Sequence, residues 1–165
     1  MPYTESLSVD VREVPEMHVA YVRHIGPYKG DTKLFGRLFN KLFAWAGARN
    51  LITPQAKVLA VYHDSPEITD ESKLRTSVCI TVPEDTQVNG EVGKMTIPGG
   101  TYAIGHFEID DTGFEDAWNS IYGVWLPGSG YQPDDRPAFE HCTNDPKEHP
   151  EGKHLVDIYV PVKPL

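Results

Sequence analysis

Asp31-Thr32-Lys33-Leu34-Phe35-Gly36-Arg37-Leu38-Phe39-Asn40-Lys41-Leu42-Phe43-Ala44-Trp45 is answered eighty residues on by Asp111-Thr112-Gly113-Phe114-Glu115-Asp116-Ala117-Trp118-Asn119-Ser120-Ile121-Tyr122-Gly123-Val124-Trp125. Each stretch opens on Asp-Thr and closes on Trp. Further along, Ile80, Val82 and Pro83 match Ile158, Val160 and Pro161 at an offset of 78 (158 − 80). A solenoid repeats every ~20–50 residues, too short for this period. The spacing suits a duplicated half-domain, with halves at about 1–85 and 86–165 of one 165-residue domain. Two similar halves about a pseudo-two-fold axis leave a junction, and junctions between modules favour small-molecule sites.

The order of elements reads outward from the two stretches. In the first, Leu34, Leu38, Leu42 and Trp45 recur at helical spacing, flanked by Phe35, Phe39 and Phe43. Asp31 or Thr32 is the N-cap, and the helix ends near Gly47. So wide an apolar stripe needs cover on more than one side. Before it, Val9–Val14 and His18–Ile25 read as strands, then Gly26–Gly30 as a breaker cluster; after it come strands at Lys57–Tyr62 and Leu74–Val82. In Leu74–Val82 the alternation predicts a half-buried strand with one polar side. Pro83–Gly90 reads as the linker between halves. The second half repeats the order: strands at Glu91–Ile97 and Thr101–Ile109, a helix capped by Asp111-Thr112 and running to Trp125, then strands at Ala138–Thr143 and His154–Val162. Each half is β-β-α-β-β. The sum is an α+β fold of eight strands, an antiparallel sheet with two long helices on one face.

Composition narrows the function. Hydrophobic residues make 39% and charged residues 24%. No apolar run nears the ~18 residues of a membrane span, and Met1–Ser6 has no basic segment or apolar core of a signal peptide. The expectation is a cytoplasmic protein without a membrane partner. Cys79 and Cys142 read as small buried hydrophobes. The net charge of −9 and the lack of clustered Lys and Arg argue against direct nucleic-acid binding. An acidic field favours cationic ligands or basic surfaces.

Glu140 is the residue most suited to chemistry. It lies in Ala138-Phe139-Glu140-His141-Cys142-Thr143, on one face with Ala138 and Cys142. At offset 80 its counterpart is Ala60, beside Tyr62. A lone carboxylate on an otherwise apolar face is costly to bury unless paired, for instance with a cationic ligand. The other reading is an edge strand with Glu140 in water. Trp118, Tyr122 and Trp125 on the second helix, and Phe35, Phe39 and Trp45 on the first, offer stacking surfaces, or simply core.

Other constellations carry less. His141, His149 and His154 with Asp145, Glu148 and Glu151 lack rigid metal-ligand spacing, so no metal or cofactor is expected. Gly99-Gly100 is a turn, with no helix and no Lys-Ser or Lys-Thr behind it. No Gly-x-Ser-x-Gly elbow is present. His63 and Asp64, adjacent at a strand end, point to opposite sides and make a poor catalytic pair.

The run Val58-Leu59-Ala60-Val61-Tyr62-His63-Asp64-Ser65-Pro66-Glu67-Ile68-Thr69, continuing through Lys73-Leu74-Arg75 to Val82-Pro83, resembles the strand, Asp-x-Pro-Glu turn and Leu-Arg strand of the GyrI-like family. That family includes DNA gyrase inhibitors and the effector-binding domains of AraC-type and multidrug-sensing bacterial regulators. Arg23-His24-Ile25-Gly26-Pro27-Tyr28 resembles its turn before the first helix, Pro98-Gly99-Gly100-Thr101-Tyr102-Ala103 its second hairpin, and Phe139-Glu140 the strand bearing its ligand-contacting acid. The resemblance spans about residues 7 to 162. It implies strand-helix-strand-strand modules in pseudo-two-fold symmetry, with a groove between the helices. It implies a stand-alone protein holding a cationic or planar molecule with Glu140, Tyr62, Trp118, Tyr122 and Cys142, and modulating DNA gyrase or conferring toxin or drug resistance. The alternative is a hydrolase of cyclopropane-containing DNA-alkylating compounds, in which Glu140 activates water and Tyr122 or Tyr62 donates a proton. A third reading is a purely protein-binding inhibitor with a vestigial groove. Cys142 stands where members often carry an aromatic, and the loop Asn144–Gly152 is distinctive.

Overall fold

The computed structural model describes residues 8–28 and 31–165, so residues 1–7, which include the Met1–Ser6 segment, and Lys29-Gly30 of the breaker cluster fall outside it. The described residues hold nine strands, each in at least one antiparallel pairing, and two α-helices. They form two compact units: Glu16–Pro98, and Gly99–Leu165 together with residues 8–15.

In the first unit, β2 (Met17–Ile25), α1 (Thr32–Ala48), β3 (Val58–Tyr62), β4 (Arg75–Thr81) and β5 (Gly93–Ile97) build a sheet in the order β3-β4-β2-β5. Asp31 caps α1, accepting the Leu34 N–H at 3.0 Å, as a helix start requires. The helix buries Leu34, Leu38, Leu42, Trp45 and Ala46 against Ala20, Val22, Val78 and Ile80 of the sheet. The expectation for β4 needs correction: it is buried on both faces, because Ser77 and Cys79 are as enclosed as Val78 and Ile80. Local hydrogen bonds make this tolerable, since Ser77 Oγ accepts from Arg23 Nε at 3.1 Å and lies 2.9 Å from His63 Nε2.

In the second unit, β1 (Ser8–Val14), β6 (Gly100–Ile109), β9 (His154–Pro164) and β8 (Ala138–Cys142) follow in that order. A short strand missed in the sequence, β7 (Tyr131–Pro133), pairs the end of β9. Three residues are too few to show periodicity. The helix α2 (Phe114–Asn119) passes into a π-helical stretch, Ser120–Trp125, and a 3-10 turn, Leu126–Gly128. Ala117 and Ile121 sit on Ala103, Phe107, Val156 and Ile158.

The strand order corrects the division into halves. The first strand of the chain, β1, pairs β6 in the second unit. The first strand of the presumed second half, β5, pairs β2 in the first unit. The dividing points are Pro15/Glu16 and Pro98/Gly99, not residue 85. Identical local patterns cannot tell which sheet edge a strand will join.

The expected Asp111-Thr112 cap of the second helix is not formed: α2 starts at Phe114 with Gly113 at the N-cap and no side-chain cap bond. Asp110 instead accepts the Thr112 N–H at 2.9 Å and its hydroxyl at 2.8 Å in the turn before the helix. The buried face of α2 then follows that of α1 at offset 79, Leu38 to Ala117 and Leu42 to Ile121. A π turn holds one residue more than an α turn. That extra residue restores offset 80 by Trp125, which packs on its core as Trp45 does on its own.

Candidate functional site

Glu140 is 5% exposed, so the edge-in-water reading fails. Register explains the burial: Glu140 pairs with Ile158 and Cys142 with Val156, and both partners belong to the core under α2. Alternation sends Phe139 to the other face, where its ring stacks on Tyr159 at 4.5 Å and meets Tyr102 edge-on at 5.6 Å. The carboxylate accepts a hydrogen bond from Trp118 Nε1 at 2.6 Å. The indole orients the carboxylate while contributing no charge of its own. The Trp118 ring in turn stacks on Tyr122, 6.3 Å away and within 11° of parallel. Tyr122 stands in the π stretch and is 40% exposed. Ser120 begins that stretch and gives its hydroxyl to Ala117 O at 2.7 Å, a bond that competes with the α ladder. Tyr122 thus lies within a π turn, and such turns recur at functional sites.

Electrostatics limit the chemistry. Burial pushes the Cys142 thiol up to about 12, and the neighbouring Glu140 charge adds to the effect, so Cys142 is no nucleophile at neutral pH. Burial also raises the Tyr122 phenol above its ordinary value, which makes it a poorer proton donor.

Four of the five expected residues, Glu140, Trp118, Tyr122 and Cys142, come together in the second unit by strand alternation and helix stacking. Tyr62 belongs to the first unit. Its ring lies 5.3 Å from Tyr28, which meets Phe35 edge-on at 6.2 Å. Tyr28 was not singled out in the sequence, because it sits in a breaker cluster without periodicity. Arg136 was also missed: its guanidinium covers Tyr102 at 4.8 Å and donates to Thr101 O at 2.6 Å. Gly100, at φ 145°, leaves the space that Arg136 occupies. The loop histidines are engaged with acids: His149 lies 2.6 Å from Glu108 and His154 2.6 Å from Asp111. Asp64 turns from His63 to Arg75, which holds it down at about 2.

A buried carboxylate held by an indole beside a partly exposed aromatic ring is an arrangement suited to holding a small molecule. The model of the GyrI-like small molecule binding domain matches residues 7–163, and the chain belongs to that family. It is 32% identical over 161 residues to a DNA gyrase inhibitor of Serratia proteamaculans, covering 95% of this chain and 99% of the relative. A DNA gyrase inhibitor of Erwinia billingiae is 30% identical over 159 residues, covering 94% and 97%. The crystal structure of the EcmrR C-terminal domain shares the fold with a TM-score of 0.74 at 18% identity, covering 96% of this chain and 99% of that one. No helix among the described residues is long and apolar enough to cross a membrane.

Proposed function

We propose that this protein binds a small cationic or planar molecule through Glu140, Trp118 and Tyr122, with Cys142 in a supporting role, and that it modulates DNA gyrase in the cytoplasm without binding DNA itself. The observation that carries the ligand reading is the 5%-exposed Glu140 carboxylate on Trp118 Nε1 beside the exposed Tyr122 ring. A fixed negative charge next to a stacking surface attracts aromatic cations by charge and by the ring quadrupole. The gyrase reading draws on the relatives named as gyrase inhibitors. The net charge of −9 disfavours a route through DNA. Burial that raises the Tyr122 phenol makes it a poorer proton donor, which supports ranking binding ahead of the hydrolase reading.

The test uses tetraphenylphosphonium as the cation and triphenylphosphine oxide as a neutral probe, titrated against Trp fluorescence. Glu140→Gln keeps the shape and removes the charge. Losing one partner of a desolvated charge pair costs about 2–5 kcal/mol, so cation affinity is expected to fall roughly thirtyfold or more. Affinity for the neutral probe should change far less. Equal cation affinities for the two proteins would remove Glu140 as the anchor. A supercoiling assay with purified gyrase tests the partner, and unchanged supercoiling at saturating protein would reject it.

A further inference from the structure

The first unit carries an open strand edge that the ligand reading does not use. β5 pairs β2 only from Met17 to Tyr21, ending where Gly93 meets Tyr21. On its other side β2 stays paired with β4 as far as Ile25. Val22–Ile25 therefore lack a strand partner on one side among the described residues. The direction of their backbone groups follows from neighbours. His18 O accepts from Val82 N and Gly26 N donates to Leu74 O, so even-numbered residues point toward β4. Alternation turns the N–H and C=O of Arg23 and Ile25 to the open side.

A groove of about 500 Å³ lies along this edge, lined by Val22, Arg23, His24, Leu34, Leu38 and the α1 cations Arg37 and Lys41, with Glu91. A second hollow of about 390 Å³ shares Val22, Lys41 and Glu91 and continues to Trp45. From Leu34 to Trp45 the helix spans ~16 Å, the length of about five extended residues. The helix Thr32–Ala48 contains three cations, Lys33, Arg37 and Lys41, at four-residue spacing, and no acid. In a chain of net charge −9 this is a locally positive stripe. Lys41 reaches Glu91 at 3.1 Å, whereas Arg37 makes no ion pair or hydrogen bond among the described residues. The Arg23 side chain is engaged on the far face with Ser77 and Tyr21, so Arg23 meets the groove through its backbone. On that far face, beside the open edge, Ile25 is 64% exposed.

We propose that the Val22–Ile25 edge of β2 takes up an extended acidic segment of a partner protein as an added strand. Its backbone pairs with Arg23 and Ile25, its carboxylates on the helix side meet Arg37 and Lys41, and its apolar side chains on the other side cover Ile25. Strand addition draws affinity from main-chain hydrogen bonds and specificity from alternate side chains. The period-two pattern of acid and apolar residues is set by the two faces of the edge.

The experiment measures fluorescence anisotropy of a labelled hexapeptide alternating Glu and Val against the full chain. A dissociation constant of about 100 μM or tighter is expected. Two further peptides carry N-methyl groups at every Glu or at every Val. One frame blocks the edge hydrogen bonds and should weaken binding tenfold or more, while the other changes it little. Arg37→Glu should weaken binding about tenfold or more. Ile25→Pro removes an N–H that faces the open side, leaves the β4 ladder intact, and should weaken binding similarly. No binding of the parent peptide at 1 mM overturns the proposal. So does equal binding of both methylated frames, even where Arg37→Glu has an effect, since that shows attraction of charge without strand pairing.

Discussion

At the scale of single residues, burial and partners separate two side chains that look alike in the sequence. Glu140 and His63 both stand in apolar strand contexts. Glu140 is turned to the α2 side of its sheet and met by Trp118. His63 caps the end of β3 beside Ser77, where burial first, then Arg23 and Arg75, push it down to about 4. The sign of the pH dependence follows. Unfolded, His63 takes a proton near its ordinary value of ~6.5, while folded it stays neutral to about 4. Its stabilising contribution is therefore complete above pH ~6.5 and is lost as pH falls toward 4, because the unfolded chain binds the extra proton. His106 acts in the opposite sense: burial opposes its charge, but hydrogen bonds to Asp157 and Asp10 outweigh that and raise it. Urea denaturation at a series of pH values should show His63→Gln with a shallower loss of stability between pH 6.5 and 4 than the parent. An identical slope would show that His63 titrates normally in the fold.

At the scale of elements, the two helices share a buried face but differ in regularity. α1 is a continuous 17-residue helix with a side-chain cap. α2 has six α-helical residues, no side-chain cap on Gly113, and a π stretch bearing Tyr122. The first is regular along its packed face, and the second carries the partly exposed Tyr122 in its π stretch. Gly36 tests the reading of α1. It is exposed in the helix interior, and a methyl group there meets nothing within 4 Å. Gly36→Ala is expected to raise stability by about 0.5–1 kcal/mol by removing backbone freedom from the unfolded chain. Chemical denaturation reads it directly, and a loss of stability would mean that α1 is not helical at this point.

At the scale of the whole molecule, the reciprocal placement of β1 and β5 is the decisive feature. A fragment of residues 16–98 retains α1 and the pairings β2-β4, β3-β4 and β2-β5. A fragment of residues 1–85 loses β5 and keeps β1 without its partner β6. The 16–98 fragment is expected to show a cooperative melt by circular dichroism and the 1–85 fragment a broad one or none. The reverse order would return the boundary to the linker after Pro83.

Much was legible in the chain because it is written in local periodicity. The 3.6-residue stripe of Leu34, Leu38 and Leu42 dictates a helix, and alternation around Glu140 dictates which neighbours share its face. The repeat at offset 80 gave the fold class, and the family motif from Val58 to Pro83 agreed with it. Other features depend on residues far apart in sequence and have no local signature. That Glu140 is buried follows from its pairing with Ile158 and the reach of Trp118 from another element. The offset of 79 in the first turns of α2 goes with a helix start at Phe114 that has no side-chain cap and with a π turn that side-chain pattern does not announce. The exchange of β1 and β5 follows from competition between sheet edges, since a strand of alternating residues fits any edge with a complementary face. Local sequence determined what each segment is. Only tertiary structure decided which segments meet, because edge pairing and burial are settled among all of them at once.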